Sequence, residues 1–143
     1  MSSMREIKFR GKRDDNGEWV YGDLINKHHN IIIGCSIETE YTASDNEPSV
    51  MFKYEMHSVI PETIGQFTGE KDSKGVDIYE GDLAKDDDNL YASIDWNQLT
   101  FTYDGEWLND FNGAIEVIGN IHDNPELLET WKIRTIKKWN KST

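Results

Sequence analysis

The sequence predicts a mainly β fold, a β-rich α+β chain with a small barrel portion and a C-terminal helix. Three observations carry this expectation. About nine short apolar runs are punctuated by Gly, Asn and Asp, the spacing of a small barrel or sandwich. Several of those runs alternate apolar and polar residues with the two-residue period of a half-buried strand. Only the tail shows the three- and four-residue recurrence of a helix.

The elements follow in order. "REIKFRGK" alternates Ile7 and Phe9 with Lys8 and Arg10 and reads as a strand. Asp14-Asp15-Asn16-Gly17 is turn chemistry, since Asx residues tolerate turn geometry and Gly accepts positive φ, and it feeds a second strand at Trp19, Val20 and Tyr21. "NIIIGCSI" is a buried strand bounded by Asn30 and Gly34. The polar run Glu38–Ser49, which contains Pro48, reads as a mobile loop. "VMFKYEMHSVI" supplies the next strand or strand pair, ending before Pro61. "LYASIDW" and "LTFTYD" flank Asn97-Gln98 as a hairpin, "GEWLNDFNG" is a turn-rich connection, and "AIEVIGNI" is a late strand. In "HDNPELLETWKIRTIKKWNK", Asp123 or Asn124 can cap a helix with Pro125 in its first turn, and the helix is predicted over 124–140. Its stripe of Leu127, Leu128, Trp131 and Thr135, with Trp139 beyond, marks a docking face for the sheet or another subunit.

The stretch Ile64–Leu83, "IGQFTGEKDSKGVDIYEGDL", holds four glycines and seven charged residues, which raises the question of a ligand loop. It lacks the lysine of a phosphate-binding loop, and no helix follows to present its N-terminus to a pyrophosphate. It also lacks the alternating acids and terminal Glu of a calcium loop. It reads as a strand from Gly65 through Gly69, a turn from Asp72 to Gly75, and a second strand running through Gly81 and Asp82; these six residues are assigned backbone roles. Its Asp-x-x-Gly, apolar-Tyr and Gly-Asp-Leu pattern echoes Asp14–Leu24.

No cofactor, metal or catalytic residue is assigned. Asp86-Asp87-Asp88 reads as a solvated loop tip, with a weak divalent-ion site as the minor alternative. His28, His29, His57, His122 and Cys35 stand in no zinc-ligand spacing. No nucleophile elbow or Cys–His signature is present. The tryptophans and tyrosines are expected to fill a small β core.

The length of 143 residues suits a single domain, with a 4–60 N-terminal β part and a 61–128 barrel-like part as sub-units. One cysteine excludes an intramolecular disulfide, the start has no apolar leader, and the longest aliphatic run is far too short to span a bilayer. Cytoplasmic localisation without membrane insertion is expected. The net charge of −12 is uneven: Asp14–Glu129 holds 26 acids against 5 bases, a net of −21, while each end carries five bases. Such a body repels phosphate backbones, so nucleic acid is disfavoured as a partner unless the basic ends converge.

"MREIKFRGK", "GEWVYGDL", "IGQFTGEKDSKGVDIYEGDL" and "EVIGNIHDNPELL", in that order, resemble the YopX family of phage and prophage proteins. The resemblance runs from Met4 to Leu128 and implies a β-rich fold with an SH3-like barrel portion, a bacteriophage or integrated-prophage origin in a bacterial host, and self-association. It transfers no activity or catalytic residue. The resulting expectation is a phage accessory protein without catalysis that binds itself, or a host or phage protein. An acidic mimic of nucleic acid that occupies a host DNA-binding protein, and nucleic-acid binding through the basic ends, are the alternatives.

Overall fold

The computed structural model describes residues 5–27, 30–42, 48–97, 100–111 and 113–127. They fall into two units, Ile7–Ile64 and a second that begins at Gly65 and also takes Arg5 and Glu6. All strand pairs within each unit are antiparallel, and the mainly β class expected from the sequence is what is found.

The first unit is a four-stranded meander: β1 (Phe9–Lys12), β2 (Trp19–Lys27), β3 (Asn30–Thr42) and β4 (Pro48–Ser58), ordered β4-β3-β2-β1. The turn before β2 forms where the Asx-Gly chemistry predicts, with Asn16 Oδ1 accepting from Glu18 N–H at 2.9 Å. Ile7 is an exception to its alternation, because β1 starts at Phe9 and Ile7 is exposed. Polar Glu38–Ser49 departs most from expectation. It is not a loop throughout, for β3 and β4 pair without interruption from Ile32↔Ser58 to Thr42↔Pro48. Composition misleads here because pairing is decided by register with the partner strand, and residues 43–47 of the run lie outside the described residues. Val59 N–H donates to Ile31 and Ile60 N–H to Lys12, so alternate residues of this segment turn toward β3 and away from it. Pro48 is in phase with Ile60, and its missing N–H therefore costs the ladder nothing. Ile33 and Val59 form the buried apolar centre, and Gly11 lies against Val59.

The second unit opens with the hairpin β5 (Gly65–Lys71) and β6 (Asp77–Tyr79). Then β7 (Asp82–Lys85), β8 (Tyr91–Asn97), β9 (Thr100–Tyr103), β10 (Glu106–Trp107) and β11 (Glu116–Asn120) form a sheet ordered β10-β9-β8-β7-β11. The β8–β9 hairpin falls where the sequence places it, with Asn97 opposite Thr100. A further hairpin sits inside the segment read as a mere connection. Asp104 (φ 52°) and Gly105 (φ 78°) form a two-residue loop between Tyr103 and Glu106, the type I′ turn that Asp-Gly favours.

Cross-strand partners Ala84 and Ala92, and Ile94 and Tyr103, share one face and join Ile78, Phe101, Leu108 and Ile115 in the core. Each fully buried Ile or Leu here stabilises the fold by about 1.5–3 kcal/mol relative to exposure. The sheet does not close, so the barrel expected over 61–128 is corrected to an open five-stranded sheet. Closure would require β10 to pair with β11, and β10, only two residues long, is followed at once by a 3-10 turn at Leu108–Phe111. Partial closure occurs instead in the first unit, where Arg13 bridges Val59 and Asp14 N–H donates to the Ser58 carbonyl.

Tryptophan placement also corrects the sequence reading. Trp96 and Trp107 are 50% and 63% exposed, while Tyr79 and Tyr103 are buried. The indole needs more room than a thin sheet core supplies, whereas Tyr103 fits edge-on against Phe111 and donates its hydroxyl to the Leu90 carbonyl at 2.9 Å. The tail begins one helical turn at Pro125–Leu127, and the remainder of the helix predicted over 124–140 lies outside the described residues.

Candidate interaction surface

The residues singled out between Gly65 and Asp82 are structural, and their arrangement is tighter than turn chemistry alone implies. Asp72 is buried, and its Oδ1 accepts from Lys74 N–H at 2.9 Å and Val76 N–H at 2.8 Å. With Gly75 N–H on the Asp72 carbonyl at 3.0 Å, this completes the predicted Asp-to-Gly turn. The other oxygen, Oδ2, accepts from Val117 N–H at 2.9 Å, 45 residues away. Asp72 therefore fastens the β5–β6 turn to β11. Asp82 is almost fully buried and its Oδ2 accepts from Tyr79 N–H at 2.7 Å. It closes the chain reversal at Glu80–Gly81, which divides the single strand expected there into β6 and β7. Gly69, Gly75 and Gly81 all take left-handed φ. Gly65 serves close approach instead, since a Cβ there would stand 2.3 Å from the Glu80 carbonyl oxygen.

Leu127 ends the described chain, half-buried, its N–H on the Asn124 carbonyl at 3.1 Å. Leu128, Trp131 and Trp139, and with them most of the predicted docking stripe, lie outside the described residues. Asn124 Oδ1 accepts from Asn120 N–H, which turns the proposed capping residue back toward β11. The Asp86–Asp88 run forms the β7–β8 loop, where Asp86 Oδ1 accepts from Asp88 and Leu90 N–H. Beside it a polar cavity of about 230 Å³ is lined by Ser73, Lys85, Asp86, Asp87, Asn89, Ala114 and Glu116. Lys74 pairs with Glu116 at 3.1 Å. Among the described residues no group of three or more His, Cys, Asp or Glu is placed to hold a metal ion.

What the sequence did not single out is one face of the first unit. Pairing brings Tyr21, Asp23, Gly34, Tyr54 and Met56 to the same side of β2, β3 and β4. Tyr21, Tyr54 and Met56 are 49%, 48% and 62% exposed. Gly34 is the slot that allows this: a Cβ there would lie 2.0 Å from the Tyr54 hydroxyl. The ring crosses β3 and its hydroxyl donates to Asp23 Oδ2 at 3.3 Å. Partial burial and the Asp23 charge push the Tyr54 hydroxyl's pKa up. Toward β1, the Arg10 guanidinium stands 4.7 Å from the Trp19 ring centre and the Lys12 ammonium 5.7 Å. On the opposite face Glu55 holds Lys53 at 3.1 Å and His57 Nε2 at 3.3 Å, and its carboxyl pKa is lowered, first by the Lys53 hydrogen bond. Cys35, opposite Glu55, donates its thiol to the Tyr21 carbonyl, and burial raises its pKa. The signal for the aromatic face was in the register, which single strands do not reveal.

Fold and surface together define a mainly β protein whose distinctive residues serve turns and inter-strand fastening, with an exposed aromatic and apolar sheet face. The chain belongs to the YopX family: the family model "YopX protein" matches residues 8–129. Among solved structures it is similar to protein EF1440 from Enterococcus faecalis, with 24% identity, a TM-score of 0.56, and coverage of 87% of this chain and 99% of that one. That likeness concerns the fold. No curated protein matches. No helix among the described residues is long and apolar enough to cross a membrane.

Proposed function

We propose that this chain is a phage or prophage accessory protein of the bacterial cytoplasm that acts by binding protein, first of all a second copy of itself, and not by catalysis. The observation that supports it is the aromatic and apolar face of the first unit, formed by Tyr21, Tyr54 and Met56. Contiguous apolar surface rimmed by charge marks interaction sites in water-soluble proteins, and tyrosine and methionine are characteristic of interface centres. Family membership is consistent with a phage setting. Multi-angle light scattering of the full chain over a range of concentrations tests the reading. A mass at or above twice 16.6 kDa is expected, and a strict monomer at every concentration overturns self-association.

A further inference from the structure

We propose that two copies of the chain join edge to edge through β4, in antiparallel register centred on Tyr54. This rests on the self-association reading above and names its interface. In the strand order β4-β3-β2-β1, β4 is the edge of the first unit. The bonds Val59 N–H to Ile31, Ile60 N–H to Lys12 and Asp14 N–H to Ser58 fix the phase of the strand's backbone groups. Odd-numbered residues turn toward β3, so Phe52, Tyr54 and Met56 turn their N–H and C=O outward, where no described strand pairs with them. Beyond Met56 the edge is taken, because Ser58 and Ile60 bond to the β1 end. The free edge is thus bounded at one end.

An unpaired edge with consecutive outward donors and acceptors is a template for another strand. Charge selects both occupant and register. Centred on Tyr54, a second β4 places Lys53 opposite Glu55 twice, once from each copy, and Phe52 opposite Met56. Sliding the two-fold axis one residue either way sets Lys53 on Lys53 or Glu55 on Glu55, and like charges directly opposite are unfavourable. The Lys53 side chain is 66% exposed and the Glu55 side chain 33%, so both remain accessible to a partner despite their contact within the chain. Pairing would also make the faces that carry Tyr54 and Met56 continuous across both copies.

The test uses Lys53→Glu, Glu55→Lys and Met56→Pro in the full chain. Each charge reversal places like charges opposite one another at both symmetric positions, and about a tenfold or larger weakening of self-association is expected. Mixing the two reversed chains restores association as a heterodimer, although each chain has lost its internal Lys53–Glu55 pair; a role confined to the chain would show no such rescue. Met56→Pro deletes an outward N–H and so weakens association while leaving the β3–β4 ladder and the circular dichroism spectrum intact. If the natural chain is a strict monomer, both the self-association reading and this interface fail. If it associates and neither the mixture nor Met56→Pro alters that association as stated, the β4 interface is wrong while self-association stands.

Discussion

Replacing Asp72 with Asn isolates one hydrogen bond that the fold of the second unit depends on. The amide oxygen of Asn can still serve Lys74 and Val76 N–H within the turn, but an NH2 group replaces the oxygen that receives Val117 N–H at 2.9 Å. A buried donor then faces a donor. Losing a hydrogen bond to a charged group, together with an unsatisfied N–H, costs about 2 kcal/mol. For a unit of this size that lowers Tm by roughly 8–16 °C. Asp72→Ala removes all three acceptor contacts and costs about 4 kcal/mol, less than three separate bonds because the turn relaxes. Thermal and urea denaturation measure both variants, and hydrogen exchange locates the effect. The Val117 amide should lose protection in Asp72→Asn while the β5–β6 turn amides keep theirs. A cost below about 0.5 kcal/mol, or unchanged Val117 exchange, would refute the claim that Asp72 fastens the turn to β11.

Two further outcomes follow from geometry and charge. Gly65→Ala pushes a Cβ against the Glu80 carbonyl, a rigid backbone atom, whereas Gly34→Ala meets the end of the Tyr54 side chain, which can swing away. Urea denaturation should show roughly 2–4 kcal/mol lost for the first and about 1 kcal/mol for the second, with equal costs contradicting the distinction. The Tyr103 hydroxyl's pKa is raised above its ordinary value of 10.0, first by burial and then by the Asp86 and Asp104 charges. Above that ordinary value the unfolded chain releases this proton while the folded chain retains it, so this stability contribution is complete below about pH 10 and declines as pH rises beyond it. Tyr103→Phe should flatten the alkaline decline in urea stability at a cost of about 1 kcal/mol from the Leu90 bond, and an unchanged slope would count against the assignment.

The Asp72–Gly75 turn, the Asx-Gly entry to β2 and the β8–β9 hairpin were legible because each depends on backbone conformations that a few neighbouring residues dictate. The Asp104-Gly105 reversal was equally local, and its dipeptide was signal enough to find it. The extent of β3 and β4 was not legible, because polar Glu38–Thr42 is held by its pairing with Phe52–Pro48 rather than by its own composition. The second role of Asp72 was hidden for the same reason, since its partner lies 45 residues further on.

By itself the sequence determined the β class, most turns, the acidic body and the family, all of which reside in local conformational preference, composition or motif. Tertiary structure alone decided that the second sheet stays open, that Gly34 makes room for Tyr54, and that Tyr21, Tyr54 and Met56 share an exposed face. Those outcomes depend on register, and register is set where two strands meet: a shift of one residue sends every side chain to the opposite side.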